Sequence, residues 1–518
     1  MAKIVTTPGR LVRNTFFNLL MLMSNAVVAF LLVPFFIGQL GETGNGVWVL
    51  IGSVFRYRIL LGMGLNSAIN RRIPMYLAKD DEDGIRRTIS TALFFFTIIA
   101  LVLALLTLLL AVKVGDWFAI PPEWVRTAGG LVLVVGLGFA ASTPLQLTTA
   151  VLSGLQRYDM VSIVTLVVLA IRTTVTVVLL LRGYGLITLG LIYSISEIVA
   201  RGTQHVLARR LLPAGYASWR NVDRGLLKEM LFYGMNTFLY AMGAILISRA
   251  SETIIGIFFA PAQLTVYSAA AAGVLILSEF LQAFTAAIKP AVSDLDARDD
   301  HTRVKLIAFL TQKYSLLVLI PAAAFLIVMG REFLTIWVGR KFQEPGVLPL
   351  MANILAILAV GYFLLLSQHS SFLVLAGRGE HRVFGVLTAV EAVLCVAIAL
   401  FTVSVLDWGL IGIAWSNFIP MALVAGLIIP VYFNRKMKIP ARESLRQVWL
   451  PAILSTAPSV LLVIVWKHLS PPDSWPELFA VVAAAGGLTV VCAWLFGMNS
   501  TERQRLLSVV RRGRRPSR

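Results

Sequence analysis

The residues of this sequence with the clearest potential for chemistry are charged side chains inside long apolar stretches. Arg56 and Arg58 lie near the middle of the second such stretch, and Arg172 lies in the fifth. A charge in a membrane-type span costs about 2.5 kcal/mol or more unless it faces water or a partner. Because a guanidinium can hold phosphate oxygens with two hydrogen bonds, Arg56 is a candidate binding residue. Arg58 lies about 200° further around a helix, which leaves one arginine to bind and the other to be paired.

The seventh apolar stretch contains a cation and an anion three residues apart, Arg249 and Glu252. This spacing places both side chains on one face of a helix. The two charges either neutralise each other or take part in gating or binding. The sequence favours neither reading.

Asparagines form polar stripes on the first two stretches. Asn18 and Asn25 share one face of the first, and Asn66 and Asn70 share the face of Arg56 on the second. For a single asparagine, a hydrogen bond between helices is the favoured role. A stripe beside Arg56 makes all four candidates for the lining of a binding site.

Further ionisable groups lie in later stretches: Glu197 in the sixth, Glu279 in the eighth and Glu391 in the eleventh. Glu279 is either a counter-ion for Arg56 or a protonatable coupling group. Glu197 and Glu252 are further coupling or gating candidates. His369 lies in the polar run Ser367 to Ser371 of the tenth stretch, where it either lines a cavity or bonds to a neighbouring helix.

The elements that must position these residues are membrane-spanning helices. The chain of 518 residues is 58% hydrophobic and only 14% charged, with a mean hydropathy of +0.83. Apolar stretches about 20 residues long, enough for a helix to cross a bilayer, recur along the whole chain. The sequence therefore predicts an all-α polytopic membrane protein with about 14 transmembrane helices, including a first helix that is not removed as a signal peptide.

The 45 Lys and Arg residues favour one orientation in the membrane. Most of them lie in alternate loops, at the N-terminus and in the C-terminal tail. The intervening loops contain only these: Lys113, Arg126, Arg182, Arg331, Arg340, Lys341 and Lys467. Because positive loops stay in the cytoplasm, both termini are expected there, in an inner (plasma) membrane. The basic tail is then expected to contact membrane lipids rather than nucleic acid.

Several chemistries lack their parts in this sequence. Cys395 and Cys492 both fall inside apolar stretches, which excludes a disulfide framework or a zinc site. There is no phosphate-binding GxxxxGK[ST] loop and no HExxH motif. The polar segments are too short for a catalytic domain, so we expect no enzyme activity and no cofactor, with H+ or Na+ left open as a coupling ion.

An internal repeat organises the chain. Ala78-Lys-Asp-Asp81 recurs as Ala297-Arg-Asp-Asp300, and Val151-Leu-Ser-Gly154 recurs as Val374-Leu-Ala-Gly377. Duplicated halves with an even number of helices enter the membrane in the same direction, related by an axis along the membrane normal. The predicted parts are a six-helix lobe at 1–212, a cytoplasmic linker at 213–228, a second six-helix lobe at 229–435, an extra helix pair at 447–497 and a basic cytoplasmic tail at 498–518.

Several motifs in order resemble those of bacterial O-antigen and exopolysaccharide flippases. They are Leu40-Gly-Glu-Thr-Gly-Asn-Gly-Val-Trp48, Leu60-Leu-Gly-Met-Gly-Leu-Asn-Ser-Ala-Ile-Asn-Arg71, Val151-Leu-Ser-Gly-Leu-Gln-Arg-Tyr158, Glu252-Thr-Ile-Ile-Gly256 and Leu375-Ala-Gly-Arg-Gly-Glu-His-Arg382. The sequence departs from that pattern at Gly62 and Thr253, where an acidic and a basic residue would be usual.

This resemblance implies the fold of the multidrug, oligosaccharidyl-lipid and polysaccharide exporter superfamily, with two pseudo-symmetric lobes around a cavity lined by helices one, two, seven and eight. It implies an undecaprenyl-pyrophosphate-linked oligosaccharide as substrate, with Arg56 and Arg249 receiving the pyrophosphate. The lobes would rock between inward and outward openings. Further partners implied are a polysaccharide polymerase and a chain-length regulator.

Two alternatives share this fold: a lipid II flippase, which differs in the glycan recognised, and a cation-coupled multidrug antiporter. A cavity for cationic drugs should be acidic and aromatic, whereas arginines are at least as prominent here. A polysaccharide polymerase or ligase would need a large outer loop carrying catalytic groups, which the sequence lacks.

Overall fold

The computed structural model is built almost entirely from helices. It describes residues 8–62, 64–212, 217–285, 288–342, 344–380, 382–500 and 502–504. Within these ranges there is no strand, and 13 helices are long and apolar enough to cross a membrane. Helices satisfy their own backbone hydrogen bonds, which apolar surroundings require. The all-α polytopic class is confirmed. Residues 213–216 of the predicted linker and most of the predicted basic tail lie outside the described residues.

The helices follow one another with short connections. Their bounds are α1 (Pro8–Arg56), α2 (Arg58–Leu61), α3 (Leu65–Ala78), α4 (Glu82–Trp117), α5 (Pro122–Ser142), α6 (Gln146–Gly154), α7 (Tyr158–Leu181), α8 (Leu186–Arg209), α9 (Arg224–Phe258), α10 (Pro261–Thr285), α11 (Ile288–Asp296), α12 (His301–Val328), α13 (Gly330–Trp337), α14 (Val347–Ser367), α15 (His369–Gly377), α16 (Arg382–Ser404), α17 (Gly409–Leu423), α18 (Ile429–Lys436), α19 (Ala441–Ser444), α20 (Leu450–Leu469) and α21 (Trp475–Cys492).

The first candidate span, Phe16–Leu61, is 46 residues long, about twice the length needed for one crossing. Gly41 divides it, because its backbone at φ 72° and ψ 173° is not helical. The chain changes direction there without an intervening loop, which only glycine permits without strain. This division accounts for the difference between 13 candidate helices and the 14 crossings expected from hydropathy.

The second crossing, predicted at about 46–70, is not one continuous helix. A turn at Tyr57 separates α1 from α2, and Gly62 and Gly64 separate α2 from α3. Gly64 has a positive φ of 70°, and a Cβ there would overlap the backbone of Gly234 in α9. Arg56 and Arg58 therefore lie on either side of a helix break rather than in the middle of a helix.

Contacts group the chain into two compact units. Unit 1 comprises Met1–Ala269 and Arg382–Ile413, and unit 2 comprises Ala270–His381 and Ala414–Arg518. These units are defined by contact alone. The division into two six-helix lobes stays a prediction.

In unit 1, an apolar core joins α3, α4, α6 and α9. Its largest fully buried side chains are Leu65, Ile69, Ile73, Ile85, Ile89, Phe96 and Met230. Elsewhere in the unit, α5 packs between α4 and α8, and α16 packs along α9. Residues 382–404 and residues 229–258 of α9 both fall in the range predicted for the second lobe, 229–435, so this contact joins two parts of one predicted lobe.

In unit 2, the extra C-terminal helices α20 and α21 pack together, and α20 packs on α12. Two lysines support this arrangement. Lys313 of α12 has a side chain only 4% exposed and donates to the Gly497 carbonyl at 3.0 Å and to Glu502 at 2.7 Å. Lys467 of α20 donates to the carbonyl of Val328.

The sequence repeat is matched by local geometry. Asp81 and Asp300 each cap the following helix by accepting a backbone N–H, from Gly84 at 2.7 Å and from Arg303 at 3.0 Å. The residues before them, Asp80 and Asp299, have φ angles of 53° and 55°. Gly154 lies against Ile73 in unit 1, as Gly377 lies against Val292 in unit 2.

Candidate functional site

The end of α1 and the turn after it meet the last turns of α9 through hydroxyl groups. The Tyr57 hydroxyl lies 3.1 Å from Oγ1 of Thr253, and Oγ of Ser53 lies 3.4 Å from the same atom. Tyr57 also interacts electrostatically with Arg249 and Glu252. The structure thus brings the α1 segment that ends in Arg56 against the part of α9 that carries Arg249. Arg56 itself is exposed.

Arg249 and Glu252 form an ion pair within α9. Nη1 of Arg249 donates to Oε1 of Glu252 at 2.6 Å, and the Glu252 side chain is 8% exposed. The spacing of three residues predicted this proximity. A guanidinium has five N–H donors, so one hydrogen bond to Glu252 leaves Arg249 with the capacity to bind an anion as well.

Arg58 contacts a carboxylate and an aromatic ring on neighbouring helices. Its Nη2 lies 3.6 Å from Oε1 of Glu197 in α8, and its guanidinium lies 4.0 Å from the ring centre of Phe139. Nε of Arg201 donates to the same Glu197 oxygen at 3.1 Å. One carboxylate therefore faces two guanidiniums, which leaves this cluster with a net positive charge.

The cluster around Glu197 extends to α6. Arg201 donates to Oγ1 of Thr149, and that hydroxyl donates to Oε1 of Gln204 at 2.6 Å. Gln204 is 2% exposed. Polar groups buried among apolar helices are tolerated when they satisfy one another in this way. These contacts hold α2, α6 and α8 together.

The four asparagines that were predicted to line a binding site have different surroundings in the structure. Asn25 donates to the Met21 carbonyl of its own helix at 2.8 Å, and Asn18 is half-buried on the same helix. Asn66 has a buried side-chain oxygen without a hydrogen-bond partner among the described residues, while Asn70 is exposed. Their predicted role in binding stays a prediction.

Glu279 and His369 belong to unit 2. Glu279 is exposed on α10, and His369 is half-buried at the start of α15, with its ring centre 6.4 Å from that of Phe372. The roles predicted for both residues, in coupling or gating, stay predictions.

Two sets of contacts fasten the second predicted crossing to α9 and the start of α10, one at each end. At one end, Arg72 pairs with Glu229 at 2.6 Å, and the Arg71 guanidinium lies 4.8 Å from the Tyr233 ring centre. At the other end, Asn45 donates to Thr265 at 3.2 Å. These antiparallel segments are held together along their whole length in this conformation.

Some residues of these clusters were not singled out from sequence. Arg201 lies four residues after Glu197, a spacing that predicts a contact on a helix. Tyr57, Thr149 and Gln204 carry no comparable signal, because their partners are on other helices. In the described part of the chain, no group of three or more His, Cys, Asp or Glu residues is arranged to hold a metal ion.

The sequence matches the model of a family of polysaccharide biosynthesis proteins over residues 46–345. No curated protein matches the sequence. The fold is similar to an inward-facing multidrug resistance MATE family transporter of the MOP superfamily, at 16% identity and a TM-score of 0.60, covering 80% of this chain and 98% of that one.

Two further solved structures share the fold. The lipid II flippase MurJ in an inward closed conformation is 15% identical, with a TM-score of 0.68 over 93% of this chain and 97% of that chain. A MOP superfamily transporter from Pyrococcus furiosus is 15% identical, with a TM-score of 0.59 over 83% of this chain and 95% of that one.

The helical architecture and the charged groups within it define a polytopic membrane protein with the fold of MOP superfamily transporters. The three solved structures named above are a multidrug resistance transporter, a lipid II flippase and a further MOP superfamily transporter. Because the family model matches more than half of the sequence, the chain belongs to the family of polysaccharide biosynthesis proteins.

Proposed function

We propose that this protein is a flippase that moves an undecaprenyl-pyrophosphate-linked oligosaccharide repeat unit from the cytoplasmic to the outer leaflet, for O-antigen or exopolysaccharide synthesis. The family match over residues 46–345 carries this proposal. That range contains the ion pair of α9 and both arginines at the α1–α2 break. Its membrane is the inner membrane, with both termini in the cytoplasm, and its partners include a polysaccharide polymerase and a chain-length regulator.

The charges of unit 1 support an anionic substrate. A pyrophosphate offers oxygens that guanidiniums bind with two parallel hydrogen bonds. Arg56 and Arg249 lie on the two segments that Tyr57 and Thr253 join, which supports an anion site shared by both arginines. Arg58 contacts Glu197 and Phe139, and its role is to hold α2 in place rather than to bind substrate.

The contacts at the two ends of the second crossing support alternating access. If the contacts of Arg71 and Arg72 with α9 open while those of Asn45 with Thr265 stay closed, the site faces one side of the membrane; the reverse opens it to the other. Each set consists of few polar contacts, which are weak enough to break and reform.

A lipid II flippase is the second candidate function. The flippase MurJ overlays 93% of this chain, whereas the MATE transporter overlays 80%. Drug antiport is less well supported, because Glu197 and Glu252 are each paired with arginine rather than available to a cationic substrate. For the MOP superfamily transporter from Pyrococcus furiosus, a binding pocket of reverse polarity suggests a different function. The polarity of a pocket is therefore a guide to function within this fold.

The test is accumulation of lipid-linked oligosaccharide on the cytoplasmic leaflet after depletion of the protein. Complementation compares wild type with Arg56→Ala and Arg249→Ala at matched expression. We expect accumulation that wild type relieves and that each variant relieves at least about tenfold less well, the effect of losing about 1.4 kcal/mol of anion binding.

Arg126→Ala is the matched control, because Arg126 is exposed in the first turns of α5, away from these clusters. It should complement as well as wild type. If no lipid-linked oligosaccharide accumulates on depletion, the flippase proposal is wrong. If lipid II accumulates instead, the second candidate replaces it.

A further inference from the structure

One carboxyl group in the membrane-spanning part of unit 1 differs from all those considered above. Glu391 on α16 is 1% exposed. Its Oε1 accepts no hydrogen bond, and no Lys, Arg or His in the described part of the chain forms an ion pair with it. By contrast, Glu197 faces two arginines and Glu252 faces one.

The surroundings of Glu391 are set by the packing of α16 along α9. Gly243 of α9 lies directly against Thr388 of α16, so the two helices approach closely one turn from Glu391. The titratable groups that face Glu391 are Tyr240 from α9 and the buried Cys395 one turn further along α16. Neither is a cation, and neither donates a hydrogen bond to Oε1 of Glu391.

An ionised carboxylate without a partner is the least stable state for such a site. Its desolvation cost amounts to several kcal/mol even after relaxation of the surroundings. A carboxylic acid avoids this cost by taking up a proton. The packing of this conformation therefore favours the protonated acid at Glu391 over the carboxylate until water or a cation reaches the group.

The same surroundings distinguish a proton from a sodium ion. A hard metal cation needs several oxygen ligands. Glu391 has beside it one phenol and one thiol, and sulfur is a poor ligand for such a cation. A single carboxyl in an apolar setting is sufficient for a proton.

We propose that Glu391 is a proton-binding site that couples transport to a proton gradient. The carboxylate takes one proton from water when the site opens to one side of the membrane, and the acid releases that proton when the site opens to the other. The coupling role rests on the proposed transport function, whereas proton binding by Glu391 does not.

Proton binding is tested by infrared spectroscopy of the purified full-length protein in lipid vesicles at neutral pH. Wild type should show the C=O stretching band of a protonated carboxylic acid, and Glu391→Gln should lack it. Glu123→Gln, which changes an exposed glutamate in the first turn of α5, should keep the band. Glu391→Asp should shift the band, which preserves the test if Glu391→Gln does not fold.

Coupling is tested in the same vesicles with a fluorescent undecaprenyl-pyrophosphate-linked oligosaccharide as probe. For one proton per cycle, a gradient of one pH unit should change the probe's distribution between leaflets by up to about tenfold in wild type. Glu391→Gln should show no change with the gradient, and a sodium gradient should have no effect on either protein.

A carboxylic acid band that is absent from wild type, or that survives in Glu391→Gln, overturns the inference. An equal response of wild type and Glu391→Gln to the pH gradient overturns the coupling role. If the band belongs to Glu391 but wild type moves no probe, the proton-binding site stands and the proposed substrate is wrong.

Discussion

Arginines within the membrane spans of unit 1 are compensated in different ways. Arg249 has a glutamate on its own helix, and Arg58 shares Glu197 with Arg201. Arg172 lies with its guanidinium 4.4 Å from the ring centre of Tyr193. Such compensation lowers the cost of keeping a cation in an apolar setting. An arginine that must bind a substrate anion is thereby stable before the substrate arrives.

Glu197→Gln should lower the stability of the folded protein by about 2–3 kcal/mol, because it leaves two partly buried guanidiniums facing each other without an anion. The measurement is the thermal unfolding midpoint of the purified protein. Adding Arg58→Met should recover part of the loss, since it removes one of the two charges. Glu123→Gln is the control of equal chemistry at an exposed site. A midpoint unchanged by Glu197→Gln would show that the cluster carries little energy.

Helix spacing predicted the contacts that lie within one element. Arg249 with Glu252 is such a contact, and Glu197 with Arg201 has the spacing that predicts one. The contact of Arg58 with Glu197 was not predictable, because it depends on how α2 and α8 pack. Sequence also could not show which acid lacks a partner: Glu391 looks like the other in-span glutamates until its neighbours are known.

Among the elements, the close approach of α1 to α10 depends on a glycine. A Cβ at Gly46 would overlap the carbonyl oxygen of Pro261. At the same contact, Asn45 donates a hydrogen bond to Thr265 at 3.2 Å, and Thr265 donates one to the Glu42 carbonyl at 2.7 Å. The motif from Leu40 to Trp48, which was recognised from sequence as a resemblance, therefore contains the residues that let these helices touch.

Gly46→Ala should destabilise the protein by about 1–3 kcal/mol, because overpacking forces the two backbones apart. Gly52→Ala on the same helix is the matched control, since a Cβ at Gly52 meets no atom within 4 Å. The measurement is again the thermal unfolding midpoint, together with complementation of the depleted strain. Equal midpoints for the two variants would mean that α1 and α10 separate without cost.

At the scale of the whole molecule, the proposed alternating access depends on the contacts at the two ends of the second crossing. Arg72 and Glu229 are partly exposed, with side chains 19% and 68% accessible. An ion pair of this kind contributes about 1 kcal/mol or less. It is therefore suited to bias a conformational equilibrium without fixing it.

Arg72→Glu should open this end of the crossing by replacing attraction with repulsion. The reporter is a cysteine at Asn66, whose side-chain oxygen is buried, labelled by a water-soluble maleimide. Labelling should become about fivefold faster in Arg72→Glu, the effect of about 1 kcal/mol on the equilibrium. The charge swap Arg72→Glu with Glu229→Arg should restore the slow rate. Unchanged labelling, or no recovery in the swap, would exclude this pair as a gate.

The sequence by itself determined that the protein is a bundle of membrane-spanning helices, that its local motifs repeat, and which charged residues lie within the spans. These properties follow from local hydrogen bonding and from the thickness of the bilayer, both of which act on stretches of one chain. Only the tertiary structure decided which charges meet, where glycines bring backbones together, and that Glu391 has no ion-pair partner among the residues that the structure describes. Those outcomes depend on distances between helices, and residue spacing along one helix does not contain them.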